Sequence, residues 1–107
     1  MATFTPKKLA FIQLPNSKGD IYDPGTAMGE AHSIIIHNTN TTTETVVLNL
    51  HDGTNEYEIF KIALITNETI IFEFINEGLI VDASSKITGS TTTASKVTCL
   101  ICGTERT

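Results

Sequence analysis

The chain has no tryptophan, only two cysteines and only three prolines among its 107 residues. Seven lysines and arginines stand against twelve aspartates and glutamates, for a net charge of −5. An acidic chain without a basic stripe repels phosphate, so nucleic-acid binding is not expected. No apolar run approaches the roughly 18 residues of a membrane span, so no membrane partner is expected either. No segment of ten or more residues carries a sustained 3.6-residue period, which argues against helices. The opening "MATFTPKKLAFIQLP" has too short an apolar run for a secretion leader, and Pro15 and Asn16 end it. The protein is therefore expected to be made in, and kept in, a reducing cytosol. On that expectation the sequons at Asn40 and Asn67 carry little weight.

Isoleucine and threonine are abundant instead. Their stiff β-branched side chains suit a pleated surface. Period-two alternation marks a series of strands: 8–14, 20–23, 32–38, 44–51, 56–64, 68–75, 79–83, 86–88 and 96–102. Turn signals separate them, including Pro24-Gly25, Asp52-Gly53 and Asn76-Glu77-Gly78. Strands at this spacing predict an all-β fold, an antiparallel β-sandwich or jelly roll of about eight strands. Residues 9–107 form a single domain on this reading. Residues 1–8 lack an evident partner strand and read as a flexible N-terminal arm. The loops "TNTTT" (39–43) and "STTTAS" (90–95) each join two apolar runs, a weak internal echo that suggests two similar hairpins.

Cys99 and Cys102 form a C-x-x-C pair, the strongest chemical signal in the chain. On a strand, positions three apart face opposite ways. Val97, Cys99 and Ile101 share one face, and Thr98, Leu100 and Cys102 share the other. The two cysteines therefore read as packing residues. A metal site completed by a histidine and a redox couple are the alternatives. His32, His37 and His51 show no HxH or HExxH spacing. A lone histidine near a threefold axis would become three, which is enough to hold a metal in a trimer. Glu56 and Glu58 share a strand face about 7 Å apart and read as a solvated surface, not an acid/base pair. No nucleophile elbow, phosphate loop or calcium-loop spacing occurs. The expectation is a non-enzyme without a cofactor.

What remains is surface use. Ile34, Ile35 and Ile36 cannot all face one core, and the segment from Ile70 to Phe74 has the same excess. Apolar residues left on an outer face suggest a subunit interface.

"SIIIHNTNTTTETVVLNLHDG", "IFKIALITNETIIFEF", "GLIVDASSKI" and the closing "KVTCLICGTE" resemble small β-sandwich structural proteins of tailed-phage virions, above all head decoration (cement) proteins. The match runs over about residues 32–105 and contains no catalytic signature. The resemblance implies a homotrimer on the capsid surface of a virion, made in the host cytoplasm, with the major capsid protein as partner. Such a protein would bind and stabilise the expanded phage head where hexamers and pentamers meet, by binding rather than chemistry. Candidate contacts are Thr3, Phe4, Thr5, Lys7 and Lys8 of the arm, Thr41, Thr42 and Thr43 of one loop, and Thr91, Thr92 and Thr93 of the other. The alternative is a receptor- or glycan-binding domain of a phage tail or fibre. That reading is weakened by the scarcity of aromatic platforms, with Tyr22 and Tyr57 the only tyrosines.

Overall fold

A computed structural model describes residues 4–76 and 78–106. They form nine strands: β1 (Phe4–Gln13), β2 (Gly19–Tyr22), β3 (Met28–Asn38), β4 (Glu44–His51), β5 (Glu56–Leu64), β6 (Thr69–Glu73), β7 (Leu79–Val81), β8 (Lys86–Thr91) and β9 (Val97–Arg106). No helix occurs among the described residues. Sheet A runs β1-β9-β3-β6, with β7 on the same β3 edge as β6, and sheet B runs β2-β8-β4-β5. Every pairing is antiparallel. The fold is the expected all-β sandwich.

The alternation of each strand assigns its faces. On β3, Ile34 and Ile36 are fully buried while Ile35 turns outward. From sheet A, Val97, Cys99 and Ile101 join them in the core. Sheet B answers with Val46, Leu48, Leu64 and Ile87. Fully burying such side chains stabilises by about 1.5–3 kcal/mol each, which is what drives two one-sided sheets together. Phe60 of β5 stacks on Phe72 of β6, ring centroids 4.4 Å apart, and closes one open side of the sandwich. On the other side Tyr22 of β2 donates its hydroxyl to Glu105 Oε2 of β9 at 2.6 Å, and Lys7 of β1 reaches Glu105 Oε1 at 3.0 Å. Those two donors hold the Glu105 carboxyl below its ordinary range, and burial pushes the Tyr22 phenol up.

Two expectations need correction. Residues Phe4–Lys8 are not an arm: they begin β1 and pair with residues 102–106 of β9, from Phe4↔Arg106 to Lys8↔Cys102. Residues 1–3, including Thr3, lie outside the described residues. Pro6 and the two lysines disguised this strand, yet those residues suit an edge, where they discourage pairing with another chain. The two echoing segments are not hairpins either. β3 and β4 lie in opposite sheets, as do β8 and β9, so each threonine loop arches from one sheet to the other. The arches stack side by side because β3 pairs β9 and β4 pairs β8. On β4 the alternation holds: Leu48 and Leu50 pack toward the core, and Asn49, buried on the other face, donates its Nδ2 to Thr88 Oγ1 at 3.3 Å.

Candidate functional site

At one end of the sandwich four connections cross between the sheets: β1–β2, β3–β4, β5–β6 and β8–β9. Crossing chains leave the ladders and must satisfy their backbone groups otherwise. Two buried polar side chains organise this end.

Asn38, the last residue of β3, is fully buried. Its Nδ2 donates to the carbonyls of Leu64 (2.9 Å) and Thr42 (3.0 Å), with that of Ile65 at 3.2 Å. Its Oδ1 accepts from the Asn40 N–H at 2.8 Å. One amide thereby joins the β3–β4 arch to the start of the β5–β6 crossing. The Asn67 N–H donates to the Asn38 carbonyl at 2.9 Å, and Asn67 itself takes a left-handed φ of 60°, which asparagine tolerates.

Glu44, the first residue of β4, is also fully buried. Thr91 Oγ1 (3.0 Å) and the Thr93 N–H (2.7 Å) donate to its Oε1, and Asn40 Nδ2 (2.9 Å) donates to Oε2. Burial pushes this carboxyl up, but the hydrogen bonds from Asn40, Thr93 and Thr91 outweigh that and hold it below its ordinary value. An ionised carboxylate with three donors thus clamps both arches. The Thr92 hydroxyl adds an acceptor for the Thr45 N–H at 3.1 Å, and Thr39 Oγ1 donates to the Lys96 carbonyl at 2.6 Å.

The clamp leaves a rim of small polar residues facing out. Thr39, Thr41, Thr42, Thr43, Thr66, Asn67, Thr92 and Thr93 are all exposed. The structure therefore brings together the two loops singled out in the sequence. It separates them from the β1 candidates. Thr5 and Lys7 pair with Glu105 and Gly103, while the rim begins beyond Asn38↔Val97. Those positions lie about 20–26 Å apart along β9 by strand rise. Thr91 is buried against Glu44, so it holds the rim and is not part of its surface. Asn38 and Glu44 were not singled out in the sequence. The only signal was an amide and a carboxylate bracketing a threonine run.

A second feature lies on the outer face of sheet A. The register aligns Phe11 (β1), Leu100 (β9), Ile35 (β3) and Ile71 (β6) in one row across four strands. Phe11 is 62 % and Ile71 57 % exposed; Leu100 and Ile35 are half-buried. The row toward the rim is polar and internally satisfied: Gln13 Nε2 donates to Thr98 Oγ1 at 2.9 Å, and His37 Nδ1 lies 2.6 Å from Thr69 Oγ1. The row on the other side is Lys8, Cys102, Ser33 and Glu73.

The cysteines diverge as the alternation requires. Cys99 is buried in the core and Cys102 is half-buried on the outer face. Burial alone pushes the Cys99 thiol up to about 12. Among the described residues no three His, Cys, Asp or Glu side chains cluster as a metal site would need. Glu56 ion-pairs with Lys18 at 2.8 Å and accepts from Thr88 Oγ1 at 2.7 Å, whereas Glu58 is exposed. The two carboxylates thus occupy different surroundings.

No family model matches the chain, and no curated protein matches it. Among solved structures it is similar to the N-terminal endo-1,4-β-D-xylanase 10B of Clostridium thermocellum, seen as its CBM22-1–GH10 modules complexed with xylohexaose. The identity is 18 %, the TM-score 0.41, and the alignment covers 99 % of this chain and 24 % of that one. The present chain thus spans about a quarter of the length of the xylanase chain.

Proposed function

We propose that the protein is a structural binding module that docks its threonine rim on an assembled protein shell, in the manner of a virion decoration protein. One observation carries the reading: two loops from opposite sheets are locked by buried Asn38 and Glu44 into a single polar rim. A pre-organised surface loses little conformational entropy on binding, so its hydroxyls and amides can act as a preset contact. The partner is the major capsid protein, as the sequence resemblance implies. The step is binding without covalent chemistry. Contact with a composite site present only in the expanded shell would stabilise that state by mass action.

Co-sedimentation with expanded and unexpanded shells tests this. The expected result is saturable binding to expanded shells that is lost in a Thr41→Lys/Thr93→Lys variant with unchanged melting temperature. Undiminished binding by that variant would remove the rim from the contact. The rim also suits hydrogen bonding to a glycan, but among the described residues the exposed aromatics, Phe11 and Tyr57, lie on strands and not on the rim. Specific binding on a glycan array without binding to shells would favour that alternative.

A further inference from the structure

We propose that the outer face of sheet A is a dimerisation surface whose occupant is a second copy of this chain, related by a two-fold axis parallel to the strands. The argument starts from the apolar row Phe11, Leu100, Ile35 and Ile71, which crosses the whole sheet with polar rows on either side. Apolar side chains aligned across four strands are more than the scattered exposure that any surface shows.

Charge placement selects the occupant. Lys8 stands at the β1 edge and Glu73 at the β6 edge of one and the same row. Lys8 Nζ rests 5.2 Å from the centroid of the Phe11 ring, which fixes both on the outer face. Three other lysines form ion pairs, with Glu105, Glu56 and Asp20, while Lys8 and Glu73 have no ion pair among the described residues. Place the two-fold axis midway between β9 and β3. The second copy's β6 then lies over β1 and its β3 over β9, and every row keeps its height. Phe11 meets the second copy's Ile71, Leu100 meets its Ile35, and Lys8 meets its Glu73. Symmetry makes each contact twice, as an isologous interface requires. An axis across the strands would instead set Lys8 over Gln13 and Glu73 over Thr69, with no charge matched.

The dimensions allow this. Sheets pack about 10 Å apart with strands within about 30° of each other. Such a crossing displaces the edge residues by about 4 Å, which a lysine side chain spans. Four strands of about seven residues present on the order of 450 Å² per copy in projection, near the lower limit for a specific interface. The dimer is therefore weak and dilution-dependent. It differs from the trimer that the sequence resemblance implies, and it holds whether or not the rim docks on a shell.

Sedimentation of the full chain from about 1 to about 300 µM tests it over the range expected for an interface of this size. The expected limit is twice the 11.6 kDa chain mass. Ile71→Asp should give a monomer throughout. Lys8→Glu should weaken the dimer about tenfold, and adding Glu73→Lys should restore it to within about threefold. A second readout needs no variant: maleimide labelling of Cys102 should slow as protein concentration rises, while buried Cys99 stays unlabelled. A wild-type monomer at every concentration, a trimer, or a double charge reversal as weak as the single one would overturn the proposal. A dimer that ignores shells would sink the docking reading alone, and a monomer that binds them would sink this one alone.

Discussion

The Thr93 N–H lies 2.7 Å from Glu44 Oε1, so a loop leaving sheet B at β8 is anchored on the first residue of β4, reached from sheet A through the other threonine loop. This contact ties the two arches together. It also makes Glu44 the residue on which the rim depends.

Replacing Glu44 with alanine leaves Thr91, Thr93 and Asn40 without their acceptor in a buried space. The expected loss is about 2–4 kcal/mol in denaturant unfolding, and Glu44→Gln, which keeps an acceptor, should lose less. The pH dependence follows from the lowered carboxyl. A group whose folded pKa lies below its unfolded value stabilises above the unfolded value, about 4.3 for glutamate, and that contribution disappears as pH falls toward the folded value. Wild-type stability should therefore drop below about pH 4.5 more steeply than that of Glu44→Gln.

The isoleucine run offers an internal contrast. Ile36→Ala empties a fully buried site and should cost about 2–5 kcal/mol. Ile35→Ala, on the outer face, should cost the monomer under about 1 kcal/mol. Chemical denaturation at low protein concentration separates the two. Equal losses would mean that the strand faces are misassigned.

Gly103 sits where β9 passes the register shift between Ala31 and Ser33 of β3. A Cβ there would lie 1.9 Å from the Glu30 carbonyl oxygen, which is backbone and cannot step aside. Gly103→Ala should therefore destabilise by about 3 kcal/mol or more, or prevent folding. A melting temperature within about 2 °C of wild type would contradict this placement.

The cysteines predict a thiol count. Native monomer should react with a thiol reagent once, at Cys102, and denatured protein twice, because Cys99 is buried with its thiol pushed up to about 12. A chelator should leave the melting temperature unchanged. Zinc bound at one per chain would contradict both statements.

The sequence was most legible where a strong turn signal set the strand ends. β4 and β5 end where period two and the Asp52-Gly53 turn place them, and Asp52 Oδ1 caps that turn by accepting from the Thr54 and Asn55 N–H groups at 2.9 and 2.7 Å. It was least legible in partner choice. Alternation says which residues share a face, not which strand lies beside which, so arches looked like hairpins. β3 starts at Met28 and not at His32 because Gly29 and Ala31, weak strand formers, are held by β7 and β9. Of the candidate site, the threonine tips were legible as loops. Their convergence was not, since it depends on a buried amide and a buried carboxylate, residue types that composition assigns to the surface.

Cryo-electron microscopy of expanded shells saturated with the protein tests the docking claim most directly. The account predicts density with the end carrying Thr41, Thr42, Thr43, Thr92 and Thr93 against the shell and the Glu105 end pointing away. Density with the Glu105 end against the shell, or bare shells at saturating protein, would contradict it.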